Sequence, residues 1–516
     1  MSRLLAALAG LAFVAAAPSV RGATYYVAEG DGEGDGSTGS PWRSLQLAAE
    51  SVGAGDTVIV RAGNYAGFDL DGRSGGELAP ITFRGEPGAS ITEDNDRGDG
   101  INVENAAWIV IEGFTVNGRS RAGIRCAGSQ HVTIRQNTTD GNGRWGIFTG
   151  FCDDLLIEGN LTSHSHAEHG IYVSNSAKRY VVRNNHSFGN AGCGIHNNGD
   201  LETSRDMGGD GINAEALIEG NVIHDNGAAA GGAGINCDGV QDSVIRNNLL
   251  YDNHATGIVL YQIDGGDASK NNLIVNNTIV QAEDGRWGIG ISGDGDSGAA
   301  SGNRVLNNIV YNRHPFRGSI VVSANSVGTL TSDHNVVMDR LSPDGDETIL
   351  TLDDWRSETG LDVHSRVATP EELFVEPDGE DYHLEEGCPA VDAGTSTDAP
   401  PLDLENHVRP AGEGFDVGAY EYGSVLVSGG AEPQPGAGTG DGSGGSGDGS
   451  GSGGDGSPTS GSGGSGAAAP RSGGCQTAAA SAPVLGTALL AAALGRRRCR
   501  CHPHAGARSP PRASLG

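Results

Sequence analysis

The chain holds two lysines among its 516 residues, Lys178 and Lys270, and the second follows Asp264 and Asp267 closely. A lysine beside carboxylates is a candidate base. Carboxylates in such number are candidate oxygen ligands for a hard cation such as Ca2+. Asp200, Asp206, Asp210, Asp238, Asp264 and Asp267 make up that ligand set. A second candidate pair joins His196 to Tyr261, an imidazole to take a proton and a phenol to return one. The candidate catalytic residues are therefore His196, Tyr261 and Lys270. Around them Asn198, Asn236 and Arg286 offer hydrogen bonds, and Phe148, Tyr172 and Trp287 offer flat rings of the kind that cover a sugar face. For any of this to be a site, residues from 148 to 287 must meet on one surface.

A repeat can bring them there. Gly-Ile recurs at 100, 123, 146, 170, 194, 234, 257 and 288, in steps of 23, 23, 24, 24, 40, 23 and 31 residues. The six dipeptides from Gly123 to Gly257 each precede a second apolar run, ending in Asn137, Asn160, Asn185, Asn221, Asn248 and Asn277. A fixed period of this size marks a stacked solenoid. Short alternating runs of strand-forming residues make each turn a β-coil. Alternation then turns Ile171 and Val173 inward and Tyr172 and Ser174 outward. Each repeated Asn falls at a bend, where it can bond backbone groups and the Asn of the next coil.

The alternation writes two outward rows on the Gly-Ile face. One reads Arg125, Phe148, Tyr172, His196, Asn236, Val259; the other reads Ala127, Gly150, Ser174, Asn198, Asp238, Tyr261. Coils about 4.8 Å apart make this face about 35 Å long, which suits a linear polymer. Coil lengths add a second clue. Ile124 to Ile134 and Ile147 to Ile157 take ten residues, whereas Ile195 to Ile218 takes 23 and Ile258 to Ile274 and Ile289 to Val305 take 16 each. The excess predicts three loops on one side, near 199–213, 262–270 and 293–303, and insertions on one face of a solenoid commonly build its binding surface. Trp145 and Trp287 occupy matching positions in two Arg-Trp-Gly-Ile motifs and extend the expected sugar platform.

This repeat resembles the right-handed parallel β-helix of pectate-lyase-like proteins over about residues 24–340. The resemblance implies an all-β, single-stranded solenoid. Tyr25-Tyr26-Val27, Pro41-Trp42, Ser44-Leu45-Gln46, Gly55-Asp56-Thr57-Val58 and Gly63-Asn64-Tyr65 resemble the N-terminal cap of polysaccharide lyases and related surface proteins. A short amphipathic helix over 44–52 is expected there, because an uncapped end exposes strand edges. Asp381-Tyr382-His383-Leu384, Pro389 to Gly394, Arg409-Pro410 and Asp416 to Tyr422 resemble a segment that follows such helices in secreted bacterial proteins. Residues 341–422 are expected to close the C-terminal end with irregular strands.

The ends address the protein. Arg3, the apolar run Leu4 to Val14 and small residues after it read as a secretory signal peptide within residues 1–23. Residues 423–474 are a linker rich in Gly, Ser and Asp. Residues 475–498 join Cys475, an apolar run from Ala478 to Leu494 and Arg496-Arg497-Arg498. That tripartite arrangement resembles the C-terminal sorting tail of myxobacterial surface proteins and implies attachment at the outer membrane or cell surface; residues 499–516 are an atypical extension. A plain membrane helix is the alternative. Eight cysteines in a chain this long are no disulfide scaffold, and Cys126 and Cys237 should point inward as small hydrophobes. A net charge of −32 leaves no basic footprint for nucleic acid. The chain is expected to be an exported monomer.

Two readings follow. In the first, a polysaccharide lyase removes a proton beside a uronate carboxylate and protonates the leaving oxygen, with Ca2+ or Arg neutralising the carboxylate. Calcium-dependent β-helix lyases pair a Lys base with an acidic cluster, which is what the resemblance implies for Lys270 and its aspartates. The paired-Asp and Gly-His-Gly arrangement of polygalacturonases and the Asp-Pro-His motif of alginate epimerases are not present. In the second, the chain is a non-catalytic adhesin, glycan-binding or structural protein. Convergence of His196, Asp238, Tyr261 and Lys270 on one sugar residue separates the two.

Overall fold

The computed structural model describes residues 22–425, which belong to one compact unit. The expected signal segment through Arg21, nearly all of the expected linker, and the expected sorting tail and extension lie outside the described residues. Three parallel sheets of twelve, eleven and twelve strands form the walls of the solenoid. Each full coil gives one strand to each wall.

Register explains the repeat. Ile101, Ile124, Ile147, Ile171, Ile195, Ile235, Ile258, Ile289 and Ile320 stand directly over one another in the Gly-Ile wall. All are fully buried. Ile134, Ile157, Val182, Ile218, Ile245, Ile274 and Val305 do the same in the second wall. The third wall admits Thr139, Thr162 and Ser187 before returning to Ile223, Leu250 and Ile279. The glycine of each dipeptide is a close approach: a Cβ on Gly123 would lie 2.7 Å from the Gly146 carbonyl oxygen, and one on Gly146 would lie 2.7 Å from that of Gly170.

The repeated asparagines form a continuous ladder at the corner between the second and third walls. Asn137 to Asn160, Asn160 to Asn185, Asn185 to Asn221, Asn221 to Asn248 and Asn248 to Asn277 are joined by side-chain bonds of 2.9–3.1 Å. The ladder continues through Asn308 to Asn335. The residue before each rung takes a left-handed backbone: Gln136, Asn184, Asn247, Asn276, Asn307 and His334 have φ of 51–57°. Asn and Gly tolerate that conformation, which is why most rungs are written Gly-Asn or Asn-Asn, with Gln136-Asn137 and His334-Asn335 the exceptions.

Helix Leu45–Ser51 covers the N-terminal end as expected, with the Ser44 hydroxyl capping Leu47 N–H at 3.2 Å and Leu45, Ala48 and Ala49 buried. The C-terminal end differs from expectation. Helix Leu352–Thr359 shuts it, stopped by Gly360 in the left-handed region, with Trp355 fully buried. Residues after 368 fold back along the third wall. Leu373, Phe374, Tyr382, Leu384, Val417 and Tyr420 pack there against Leu249, Tyr251, Val280, Ile309 and Val336. The reason lies in the ladder corner. Asn247, Asn276 and Asn307 donate side-chain bonds to backbone carbonyls of Leu402, Asp416 and Thr395, so the left-handed column also serves as the docking strip for the closing segment. Among the described residues, no helix is long and apolar enough to cross a membrane.

Candidate functional site

Both outward rows of the Gly-Ile wall are in register. Tyr172, His196 and Asn236 align in one, and Ser174, Asn198, Asp238 and Tyr261 align in the other. The face they occupy is nevertheless closed. His196 and Asp238 are 4% and 1% exposed, and Asn198, Asn236, Phe148 and Trp287 are also buried. Part of the cover comes from residues just before Gly-Ile pairs: Trp145 lies against Phe148, His169 against His196 and Cys193 against Asn236.

His196 is held inside this layer. Its Nδ1 stands 2.9 Å from His169 Nε2, and its ring stacks on Tyr172 at 4.9 Å. The Cys193 backbone N–H donates to His169 Nδ1 at 3.0 Å. His169 therefore carries its proton on Nε2 and donates it to His196 Nδ1. Burial pushes the His196 pKa down to about 3, so the ring is neutral. Its Nε2 has no hydrogen-bond partner. Asn236 donates to the Cys193 sulfur at 3.4 Å.

Asp238 anchors a loop. Its oxygens accept the backbone N–H groups of Ile263, Asp264 and Gly265 at 2.8–3.0 Å. Burial pushes its pKa up to about 7 against the pull of those three donors. Lys270 grips both oxygens of Asp267 at 2.6 and 2.8 Å, and Gln241 donates to the same carboxylate. Lys178 holds Asp210 and the Ile212 carbonyl. Asp200 caps helix Leu201–Arg205 through Thr203. Asp206 and Asp264 are exposed on the loops, and Tyr261 is half-buried. Asp200, Asp210, Asp238 and Asp267 are thus each engaged by different partners, and none of the six candidate calcium carboxylates belongs to either of the two groups of three ligating side chains among the described residues. They do not fit a calcium cage, and no step is routed through one.

The expected platform is also engaged. Trp145, Phe148 and Tyr172 turn onto one another at centroid distances of 4.6–6.0 Å. The Trp145 indole donates to Glu168 at 2.8 Å while Arg144 lies over its ring at 4.3 Å. Arg286 is half-buried beside Trp287. Reading the position before each Gly-Ile pair as part of the wall would have found His169 and Cys193.

The three insertions leave the coils at the same corner, between the Gly-Ile wall and the second wall, and are bonded to one another. Leu201 N–H donates to the Asp264 carbonyl, and Gly266 N–H to that of Gly211, each at 2.8 Å. Gln262 exchanges bonds of 3.0 and 2.9 Å with Ser297. Asn325 then ties Gly293 to the next coil at 2.8 Å. The product is one ridge. Met207 and Ile263 stand on it 52% and 62% exposed, among the exposed Arg205, Asp206, Asp210, Asp264, Asp294 and Asp296.

These features define a right-handed parallel β-helix. Residues 205–340 match the family described as right handed beta helix region, and residues 86–206 match that described as periplasmic copper-binding protein (NosD). The uncharacterized protein YwoF of Bacillus subtilis (strain 168) is 25% identical over 376 residues, covering 66% of this chain and 79% of its own. Among solved structures, pectate lyase Pel9A aligns with a TM-score of 0.54 at 15% identity, over 77% of this chain and 96% of its own. An alginate lyase from Paenibacillus sp. str. FPU-7 aligns with a TM-score of 0.42 at 20% identity, over 55% and 95%.

Proposed function

We propose that this chain is an exported β-helix protein that binds an extended polysaccharide along its loop ridge and does not cleave it. The observation that carries this reading is the division of roles between the two surfaces. The three insertions join into a continuous exposed ridge, whereas His196, Asp238 and Lys270 are each buried or already bonded within the protein. A base must reach the proton it removes; a buried imidazole behind Tyr172 does not. Insertions gathered on one side of a solenoid are where such folds commonly build a binding surface, and this ridge mixes apolar and polar side chains. Support for a glycan partner also comes from the solved neighbour named as a pectate lyase. The polysaccharide expected from the sequence is acidic. The ridge aspartates repel such a polymer unless a cation lies between, so calcium is varied in the test.

Export rests on the apolar leader, and the family matched over residues 86–206 is described as periplasmic. Surface attachment rests on the tail from Cys475. Copper stands in that same description, and His169, Cys193 and His196 are the Cys/His group within the matched span. They do not fit the ion well, because the Cys193 N–H places the His169 proton on Nε2, the nitrogen that faces the other two.

The test is affinity electrophoresis of the full chain through gels containing pectin, alginate, a glycosaminoglycan or a neutral glucan, with calcium and with chelator. The same polymers are incubated with the protein in solution and followed by ultraviolet absorbance of unsaturated uronate. Retardation in at least one gel with no absorbance rise is expected. A rise would establish cleavage, and mobility unchanged in every gel would overturn glycan binding.

A further inference from the structure

We infer that Asp333, His334 and His364 form a binding site for a divalent transition-metal ion, with Zn2+ the best-fitting ion, where the last full coil meets the closing segment. The ligating atoms of the three side chains lie within 4.8 Å of one another. His364 Nδ1 is 2.7 Å and His334 Nε2 is 4.0 Å from the same oxygen, Asp333 Oδ2. The two imidazoles lie side by side, with centroids 4.8 Å apart and planes 17° from parallel.

What separates this group from the buried one is which ring protons the backbone fixes: the Cys193 N–H pins the His169 proton on its facing nitrogen, whereas the His364 Nδ1–H that donates to Asp333 can move to Nε2, which no hydrogen bond holds among the described residues. His334 Nδ1 stands 3.1 Å from the Ala393 carbonyl, a bond only an N–H can make. The proton is thereby fixed on Nδ1, and the Nε2 lone pair is left bare toward Asp333. A backbone carbonyl behind the far ring nitrogen is the usual support of a metal-ligating histidine. The Asp333 carboxylate is oriented too, since its Oδ1 accepts the backbone N–H groups of His334 and His364 at 2.9 and 2.7 Å. Two imidazoles and a carboxylate suit zinc, whose ligands at about 2.0–2.2 Å leave a fourth position for water. Closing on an ion requires atoms now 2.7 and 4.0 Å apart to move by less than about 1 Å. His364 is exposed enough to do so, at 63% of its side-chain surface.

The choice of residue at 334 adds an independent argument. His334 occupies the left-handed position before ladder residue Asn335, as Asn247, Asn276 and Asn307 do before theirs. In those coils an asparagine bonds the closing segment; in this one a histidine does the same with Nδ1. Asparagine suffices for docking, and what histidine adds is a second nitrogen aimed at a carboxylate and another imidazole. An ion there would tie the last coil, the loop around His364 and the closing segment together.

The test is titration of the full chain with Co2+ and Zn2+. Cys499, Cys501, His502 and His504 near the C-terminus are possible ligands as well, so the quantity read is the difference between variants. His334→Asn keeps the docking bond in the form used by three earlier coils and should fold. Wild type is expected to take up one more equivalent of metal than H334N or H364A, to show visible Co2+ bands that Zn2+ bleaches, and to melt at a higher temperature with Zn2+. H334N should show no shift in melting. Equal uptake by wild type and H334N, or a Zn2+ shift that persists in H334N, would overturn the site. Neither outcome depends on whether the ridge binds a polysaccharide.

Discussion

Asn160 shows how much of the fold a single repeated residue carries. Its Nδ2 donates to the Ile134 carbonyl and to Asn185, and its Oδ1 accepts the backbone and side-chain N–H groups of Asn137, all at 2.9–3.1 Å. Asn160→Ala strands several buried partners at once. Each unsatisfied group costs roughly 1–3 kcal/mol, so the expected loss is about 3–5 kcal/mol, read from denaturant midpoints. Lys270 makes the opposite prediction. Its ion pair with Asp267 is partly exposed on both sides, so Lys270→Met should change stability by about 0–1 kcal/mol. Polysaccharide retention should be unchanged; loss of retention would return Lys270 to the site. The inward isoleucines and ladder asparagines were legible in the sequence, because one residue type recurred at one phase of the coil. The burial of His196 and Asn236 was not. Alternation separates the two faces of a strand but does not say what lies over the outer one, and His169 and Cys193 cover it from a position that varies in type.

At the scale of elements, the closing segment depends on charge. His383 sits between Glu405 at 3.3 Å and Asp381 at 2.6 Å. The Glu405 carboxylate, helped by Asp381 and opposed by burial, pushes its pKa up to about 9. The folded value lies above the unfolded value of 6.5. The stabilisation is therefore complete below that unfolded value and is lost as pH rises through about 9. Amide exchange in residues 368–422 should quicken across that window relative to the coils, once corrected for intrinsic base catalysis. His383→Gln should remove the extra pH dependence; protection that falls equally in wild type and variant would contradict it. The folding back of this segment was only half visible in the sequence. The Asn-Asn pairs at 247–248, 276–277 and 307–308 were on the page, but one member of each makes the ladder and the other reaches residues far along the chain. Local pattern cannot specify such a partner. The three long excursions were easier to place, because a closed coil of fixed cross-section can release extra residues only at a corner.

The molecule as a whole divides into a closed wall and an open ridge. Stacked coils let long excursions from Gly199, Gln262 and Ser292 meet, the first two through backbone bonds and the last two through the Gln262 side chain, although they lie far apart in sequence. Met207 and Ile263 are exposed large hydrophobic side chains on that ridge. Replacing exposed side chains leaves the buried ladder and the stacked isoleucines untouched, so the double variant Met207→Ser, Ile263→Ser should melt with the wild type, within about 0.5 kcal/mol for each site. The most direct measurement is the mobility of wild type and this double variant side by side in the polysaccharide gel that retards wild type. Restored free mobility of the double variant, with melting unchanged and no unsaturated uronate released by either protein, is the predicted result. Equal retardation of the two proteins would contradict the ridge as the binding surface, and release of unsaturated uronate by wild type would contradict binding without cleavage.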